Sequence, residues 1–339
     1  MTVAADVLVV GAGAIGGVTA ALMQGKVRRV MVLDANEEHV AALREPGLRL
    51  DRLGEESTVR LDAYARPEEL PTTADFALVT LKAAYLEPAL PPLRERAETF
   101  VSLGNGLVQD RVAELVGAER LLIGTVEWGA TNLGPGRLAQ TTQAPFVIGE
   151  PDGSESERVR RLAGVLGTVT DVHVSRNIRG QVWSKLLINS TWSGLGAASG
   201  LLYGQIAEDP VRREFALALW REGFAVGRAQ GLELEEQVGV RAEDMASEDR
   251  ETADRAVETM MSRLAATKAS MLQDLERGVP CEVDVINGAV VARGREHGVA
   301  TPLNEKIVEV VHGYERGEGE PGPDVFELLR AALADGDHG

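Results

Sequence analysis

The strongest constraint in the sequence is a run near its start. The apolar segment Asp6-Val7-Leu8-Val9-Val10 enters Gly11-Ala12-Gly13-Ala14-Ile15-Gly16, and Gly17-Val18-Thr19-Ala20-Ala21-Leu22-Met23 continues at helical spacing. A strand, a tight glycine turn and a helix in that order leave few folds open, because each glycine has a separate task. Gly11 makes the turn, Gly13 lets a pyrophosphate approach the backbone, and Gly16 lets the helix lie close to the strand. The first N–H groups of the helix, at Ala14, Ile15 and Gly16, then face an anion with the positive end of the helix dipole behind them. Gly11, Gly13, Ala14, Ile15 and Gly16 are therefore the candidate dinucleotide-binding set. An ordinary glycine-rich turn is the plainer alternative, disfavoured by the correct strand and helix on either side.

Arg28-Arg29-Val30-Met31-Val32-Leu33-Asp34 reads as the second strand. An acidic residue about 20 positions past the glycines is placed to accept hydrogen bonds from the adenosine ribose hydroxyls. A 2′-phosphate there would meet like charge, so Asp34 in that role selects NAD over NADP. The competing role for Asp34 is a cap or turn residue ahead of Ala35-Asn36-Glu37-Glu38. Arg28 and Arg29 come too early in the strand to clamp a phosphate easily.

Composition narrows the partners. A chain of 339 residues can bury two cores, and with 44% hydrophobic but only 4% aromatic residues those cores are built from Ala, Val, Leu and Ile. A formal net charge of −17 disfavours nucleic acid and anionic membranes as partners. No signal peptide is expected, since the opening residues read as a strand, and no apolar run approaches the ~20 residues of a membrane span. The single cysteine, Cys281, cannot form an internal disulfide and reads as a packing residue, which fits a cytoplasmic setting. His39, His173, His297, His312 and His338 match no metal-ligand spacing, so no metal is expected.

Short apolar strands at 76–81, 100–103, 121–125 and 146–149 alternate with helical stretches. Residues 1–176 are thus expected to form an α/β, Rossmann-type doubly wound sheet that is mostly parallel. Gly104-Asn105-Gly106 falls just past a strand end, on the edge where such sheets bind ligands. Residues 177–339 are expected to form an all-α domain, with helices over 182–193, 210–230, 256–276 and 281–297. Residues 232–254 read as an acidic helix–loop region, and 317–323 as a linker before a short terminal helix.

In the second half, Lys185, Asn189 and Ser193 recur at i, i+4 and i+8, along one face of a helix that Gly194 and Gly196 are expected to end or bend. A wet polar face is the plainer reading. Further on, Gly278 stops a helix, Pro280 suits the start of the next, and Glu282 falls in its first turn, where the dipole stabilises a carboxylate. Simple helix-start stabilisation would account for Glu282, and equally for Asp284 and Asn287.

Taken together, these segments resemble ketopantoate reductases and the wider family of 2-oxoacid reductases built like them. The resemblance runs through the glycine loop, Val79-Thr80-Leu81-Lys82, Gly104-Asn105-Gly106, Asn177-Ile178-Arg179, Trp183-Ser184-Lys185-Leu186 and Asn189. It continues through Ser270-Met271-Leu272-Gln273-Asp274, Glu282-Val283-Asp284-Val285-Ile286-Asn287-Gly288 and His297-Gly298-Val299-Ala300-Thr301-Pro302. It implies Lys185 as general acid, Glu282 as the acidic residue paired with it, and Lys82 and Asn105 on the cofactor side of a cleft between two domains. Asn189 and Ser270 match substrate-binding positions, and Asn105 and Ser193 join that set. Two positions depart from the pattern. Ser193-Gly194 stands where the family usually has Asn-Pro, and Asp34 stands where NADP-dependent members carry a basic residue.

Reduction of a ketone adds a hydride to carbon and a proton to oxygen. A lysine ammonium beside that oxygen stabilises its developing charge and delivers the proton. A carboxylate such as Glu282 would keep the ammonium in place and charged. The expected function is therefore reduction of a small 2-oxoacid to a 2-hydroxyacid with NADH, in a homodimer formed through the helical half. The alternatives are an authentic NADPH-dependent ketopantoate reductase, an enzyme of the imine reductase or opine dehydrogenase type, and a non-catalytic dinucleotide sensor.

Overall fold

A computed structural model describes residues 2–336. Two compact units divide after Ile178, with the short segment Asn105–Leu107 belonging to the later one.

Among the described residues the first unit holds strands β1 (Val3–Val10), β2 (Val27–Leu33), β3 (Leu48–Arg52), β4 (Glu55–Val59), β5 (Asp62–Tyr64) and β6 (Ala74–Val79). They are followed by β7 (Ala97–Ser102), β8 (Leu121–Val126), β9 (Ala130–Asn132), β10 (Arg137–Gln140), β11 (Phe146–Gly149) and β12 (Val172–Val174). Eight of them form one sheet in the order β12-β11-β8-β7-β6-β1-β2-β5. All neighbours in it are parallel except β8 and β11. From β1 the chain first builds outward through β2 to β5, then returns to the other side of β1 with β6, β7 and β8. The strand order therefore reverses between β1 and β6, and the carboxyl ends of those two strands flank the crevice where a doubly wound sheet takes its ligand. Val7, Leu8, Val9 and Val10 are all buried, as a central strand covered on both faces requires. The expected α/β architecture with a mostly parallel sheet is what forms.

A second sheet, in the order β4-β3-β10-β9, was not expected. Its strands leave little trace in the sequence: β9 has three residues and β10 four, too short for alternation to register. It packs on the first helix, Ala14–Met23, where Gly17 makes room for it. A Cβ on Gly17 would sit 2.3 Å from the Leu138 side chain of β10.

The second unit is helical, and the only strand-like pairing described there is a bridge between Gln237 and Val240. Its core gathers around Trp183, Trp192 and Trp220. The long helix Pro210–Ala229 starts at Asp209, whose carboxylate accepts from the N–H groups of Val211 and Arg212. On that helix Gly223 leaves room for Leu187 and Gly227 for Trp183, whose indole N–H donates to the Gly223 carbonyl at 3.0 Å.

Three helix expectations are corrected. The helix Ile178–Ile188 does not stop at Gly194: it passes through a π-turn, Asn189–Ser193, and continues as Gly194–Ser199. Both glycines are contact positions rather than breakers. A Cβ on Gly194 would lie 2.9 Å from the Asn287 amide, and one on Gly196 2.9 Å from the Ala269 Cβ. The chain leaves the helix only at Gly200, in the left-handed region at φ 73°. The expected helix 256–276 is two helices, Arg250–Leu264 and Ser270–Glu276. The expected helix 281–297 begins only at Asn287, so Glu282 precedes the 3-10 turn Val283–Val285 instead of sitting in a helical first turn. Among the described residues, no helix is long and apolar enough to cross a membrane.

Two glycines in helices should respond to alanine in opposite directions. A Cβ on Gly16 would lie 2.0 Å from the Gly11 carbonyl oxygen and 2.3 Å from Thr80 Oγ1, whereas a Cβ on the exposed Gly164 meets nothing within 4 Å. Urea unfolding should show Gly16→Ala less stable by about 2 kcal/mol or more. The same measurement should show Gly164→Ala more stable by about 0.5–1 kcal/mol.

Candidate active site

The glycine loop is held by backbone groups on three sides. Gly11 N–H donates to the Leu33 carbonyl of β2 at 2.8 Å, and Thr80 N–H donates to the Val10 carbonyl at 3.0 Å. The Thr80 hydroxyl donates at 2.7 Å to the Gly11 carbonyl. Gly11 has φ 92°, a conformation that an L side chain seldom takes, and the Leu81 side chain lies over it. Gly16 is enclosed by the Gly11 carbonyl and the Thr80 hydroxyl, so it admits no side chain. In front of Gly13 the space is open. No side chain caps the helix Ala14–Met23 and no acidic residue occupies its first turn, so the N–H groups of its opening residues remain available to a phosphate. Gly11, Gly13, Ala14, Ile15 and Gly16 thus stand in one loop with a clear approach. Lys82 follows two residues after Thr80, at the start of the turn Ala83–Tyr85 and beside the same strand end.

Asp34 joins this loop. Its Oδ2 accepts from Ala12 N–H at 2.7 Å and its Oδ1 from Asn36 N–H at 2.9 Å. Asn36, and not Asp34, caps the following helix Glu37–Ala42 by accepting from His39 N–H. Asp34 also lines a recess of about 140 Å³ with Ala12, Gly13, Asn36, His39, Asn132, Gly134 and Pro135, a lining without a basic side chain other than the imidazole. Arg28 is committed elsewhere, to Asp6 at 2.8 Å and Asp75 at 3.1 Å.

The second unit carries the remaining candidates. The Asn105 amide donates to Glu282 Oε2 at 3.3 Å. Leu107 N–H donates to the Val285 carbonyl at 2.9 Å, so residues 105–107 are joined to the segment around Glu282 at two points. Gly106 is required there: it has φ 70°, and a Cβ would lie 2.1 Å from the Val285 carbonyl oxygen. Glu282 is buried, with 8% of its surface exposed.

Lys185 and Asn189, both half-buried, lie one α-helical turn apart on the same helix face. Ser193 does not complete the expected stripe. The π-turn widens the spiral, four further residues no longer return to the same face, and Ser193 is 2% exposed. Its hydroxyl lies beside Tyr203, whose own hydroxyl is pushed up to about 12 by burial, partly offset by Ser193. Ser270 is exposed and opens the helix Ser270–Glu276. Burial pushes the Cys281 thiol up to about 12, which disfavours the thiolate and agrees with a packing role.

A polar relay missed in the sequence supports the π-turn. Glu222 accepts from Leu303 N–H at 2.8 Å, Asn304 N–H at 3.0 Å and the Asn304 amide at 2.7 Å. Burial nevertheless holds its carboxyl above the ordinary range. The Asn304 side-chain Oδ1 accepts from the Asn287 amide at 2.9 Å, and the same amide nitrogen donates to the Ser190 backbone carbonyl at 2.8 Å. Asn287 thus holds a backbone carbonyl within the π-turn. Only the apolar run around Asn287 could have signalled this pairing. The other contributors missed, Thr80, His39 and Gly17, act through neighbours distant in sequence.

Comparison with known proteins gives a consistent result. Residues 7–153 match the family model described as "Ketopantoate reductase PanE/ApbA", and residues 177–315 match "Ketopantoate reductase PanE/ApbA C terminal". A 2-dehydropantoate 2-reductase of Mesorhizobium japonicum is 30% identical, covering 92% of this chain and 98% of the relative. One from Halobacterium salinarum is 28% identical over 90% and 97%. Among solved structures, a PanE/ApbA family ketopantoate reductase from Ralstonia eutropha superposes with TM-score 0.79 at 25% identity, covering 92% of this chain and 99% of the other. A ternary complex of D-mandelate dehydrogenase with NADH and anilino(oxo)acetate has the same fold, with TM-score 0.80 at 23% identity and the same coverage.

Replacing Asn287 with Leu removes both amide donors and leaves the Ser190 carbonyl and Asn304 Oδ1 without them. Urea unfolding is expected to show a loss of about 2–4 kcal/mol.

Proposed function

The chain belongs to the ketopantoate reductase family, and from that premise we propose that it reduces a 2-oxoacid to the corresponding 2-hydroxyacid with NADH, Lys185 acting as general acid. The observation that carries this reading is the polar grouping of the second unit. Asn105 is bonded to the buried Glu282, and Lys185 and Asn189 share one helix face.

The glycine loop fits a dinucleotide. Gly13 is open in front, the helix start is uncapped, and a side chain at Gly16 has no space. When bound, the cofactor supplies the hydride. Ala14, Ile15 and Gly16 would hold its pyrophosphate through their N–H groups. Asp34 supports the choice of NADH. With two backbone N–H groups already bound, its carboxylate retains acceptor capacity for ribose hydroxyls. A 2′-phosphate would meet a carboxylate in a recess lined by no Arg or Lys.

On the substrate side, the Lys185 ammonium donates its proton to the carbonyl oxygen as negative charge develops there, and recovers a proton from solvent afterwards. Glu282 and Asn105 orient the polar end of the substrate and keep the ammonium charged. Asn189 and Ser270 supply donors for the 2-oxoacid carboxylate, and Lys82 lines the cofactor side. Ser193 stands where the family usually has an asparagine, and its position in the core beside Tyr203 supports helix packing, and so a substrate preference, unlike that for ketopantoate. The curated name of the Mesorhizobium relative favours a second reading, in which ketopantoate itself is the substrate.

Oxidation of NADH and NADPH should be followed with ketopantoate and with a panel of bulkier 2-oxoacids. The expected result is NADH-dependent turnover of an oxoacid other than ketopantoate. NADPH oxidation with ketopantoate alone would establish the second reading and remove the roles given to Asp34 and Ser193. With the best substrate, Lys185→Met should lower kcat at least ~100-fold, and near-normal turnover would exclude Lys185 as the acid. Ser193→Asn should shift preference toward ketopantoate, and an unchanged ranking of substrates would remove Ser193 from the specificity argument.

A further inference from the structure

His39 is 4% exposed and makes two hydrogen bonds to backbone groups far from it in sequence. Its Nδ1 receives the Gly136 N–H at 2.9 Å, and its Nε2 lies 2.8 Å from the Ala12 carbonyl oxygen. A backbone N–H can only donate and a carbonyl can only accept. The imidazole is therefore the neutral tautomer with its proton on Nε2, donating to Ala12.

Ala12 is the residue between the first two glycines of the loop. Its N–H is bound by Asp34 Oδ2 at 2.7 Å and its carbonyl by His39, so the two peptide units flanking Ala12 are each held by one side chain. The other end of the imidazole fastens the 132–136 turn between β9 and β10. That turn is shaped by the Asn132 side chain, which accepts from Gly134 N–H at 2.9 Å. Gly136 is packed so closely that a Cβ would lie 2.6 Å from the Ala42 Cβ. Asn132, Gly134 and Pro135 of this turn and Ala12, Gly13 and Asp34 of the opposite side line the same recess.

We infer that His39 is a positioning residue for the adenosine end of the dinucleotide. It fixes the Ala12 peptide in the glycine loop and fastens the 132–136 turn as the wall of the recess beside Asp34. The small second sheet thereby becomes part of the cofactor site, through one side chain whose role is to hold backbone groups. The inference rests on the proposal above that this loop takes a nicotinamide dinucleotide, and it adds which residue shapes the ribose end.

The test separates the two ends of the cofactor. Affinity of the full chain for NADH, ADP-ribose and nicotinamide mononucleotide is measured without turnover, alongside kcat at saturating NADH and best substrate. His39→Leu removes both hydrogen bonds and should weaken NADH and ADP-ribose about tenfold or more. Nicotinamide mononucleotide affinity and kcat should hold within about threefold, because the reacting end is untouched. His39→Gln can still donate to the Ala12 carbonyl and should recover part of the loss. Should His39→Leu fail to fold, Asn132→Ala changes only an exposed turn residue, and its expected effect is ADP-ribose binding weakened about threefold with a normal unfolding midpoint. ADP-ribose affinity unchanged in a folded His39 variant, or all three ligands weakened equally, would overturn the inference. Wild-type protein that binds neither NADH nor NADPH would overturn the cofactor reading and this inference with it.

Discussion

The first unit depends on how closely the helix Ala14–Met23 approaches the end of β1. At Gly16 there is no room for a methyl group between the Gly11 carbonyl and the Thr80 hydroxyl. That contact sets three things at once. It aims the start of the helix across the end of the strand. It ties the β1 turn to the chain leaving β6, through the hydrogen bonds that the Thr80 N–H and hydroxyl give to the Val10 and Gly11 carbonyls. It also places both at the reversal of strand order, where a ligand can reach backbone N–H groups from outside the sheet. Gly17 repeats the arrangement on the next position, giving up its side chain to Leu138 and so admitting the second sheet.

Charge explains why the proposed binding relies so much on backbone groups. A chain with net charge −17 surrounds an anionic cofactor or substrate with an unfavourable field, although salt screens most of it beyond about 10 Å. Attraction must therefore come from short range. An uncapped helix start without an acidic first turn supplies it for a pyrophosphate. In the proposed mechanism a lysine would supply it for a carbonyl oxygen that becomes negative only as hydride arrives, which is the condition for acceleration and not merely tighter binding. The recess beside Asp34 keeps a carboxylate, which in the proposed reading suits neutral ribose hydroxyls.

Where sequence and structure agree, the signal was local. The β1 strand, the glycine loop and the helix after it are contiguous, and their chemistry is written in neighbouring residues. The parallel core strands are continuous apolar runs, legible for the same reason. Asp34 was found by its distance from the glycines, but its second bond, to Ala12, depends on strand pairing that no short window displays. The errors share a cause. Gly194 and Gly196 have the composition of a helix stop, yet both are small because the Asn287 amide and Ala269 press against them from elsewhere in the chain. Glu282 resembled a helix-start residue after Pro280, but the helix waits until Asn287. His39 gave no signal, because a buried histidine joining two backbone groups looks in sequence like any other histidine.

The π-turn draws the substrate side together in physical terms. Inserting an i→i+5 turn after Ile188 spoils the regular ladder and leaves backbone carbonyls in need of other donors. The Asn287 amide meets that need at Ser190, and Asn304 and Glu222 in turn fix which way the Asn287 amide points. With the turn held, Asn189 stays on the face of Lys185 while Ser193 is rotated into the core beside Tyr203. A regular helix would have kept all three on one face. The departure at position 193 is therefore more than a shorter side chain: in this conformation the serine sits where it alters the floor of the helix packing. An asparagine placed there would have to displace the Tyr203 contact or turn outward. If this face takes the proposed substrate, helix geometry as well as residue identity shapes what it can accept.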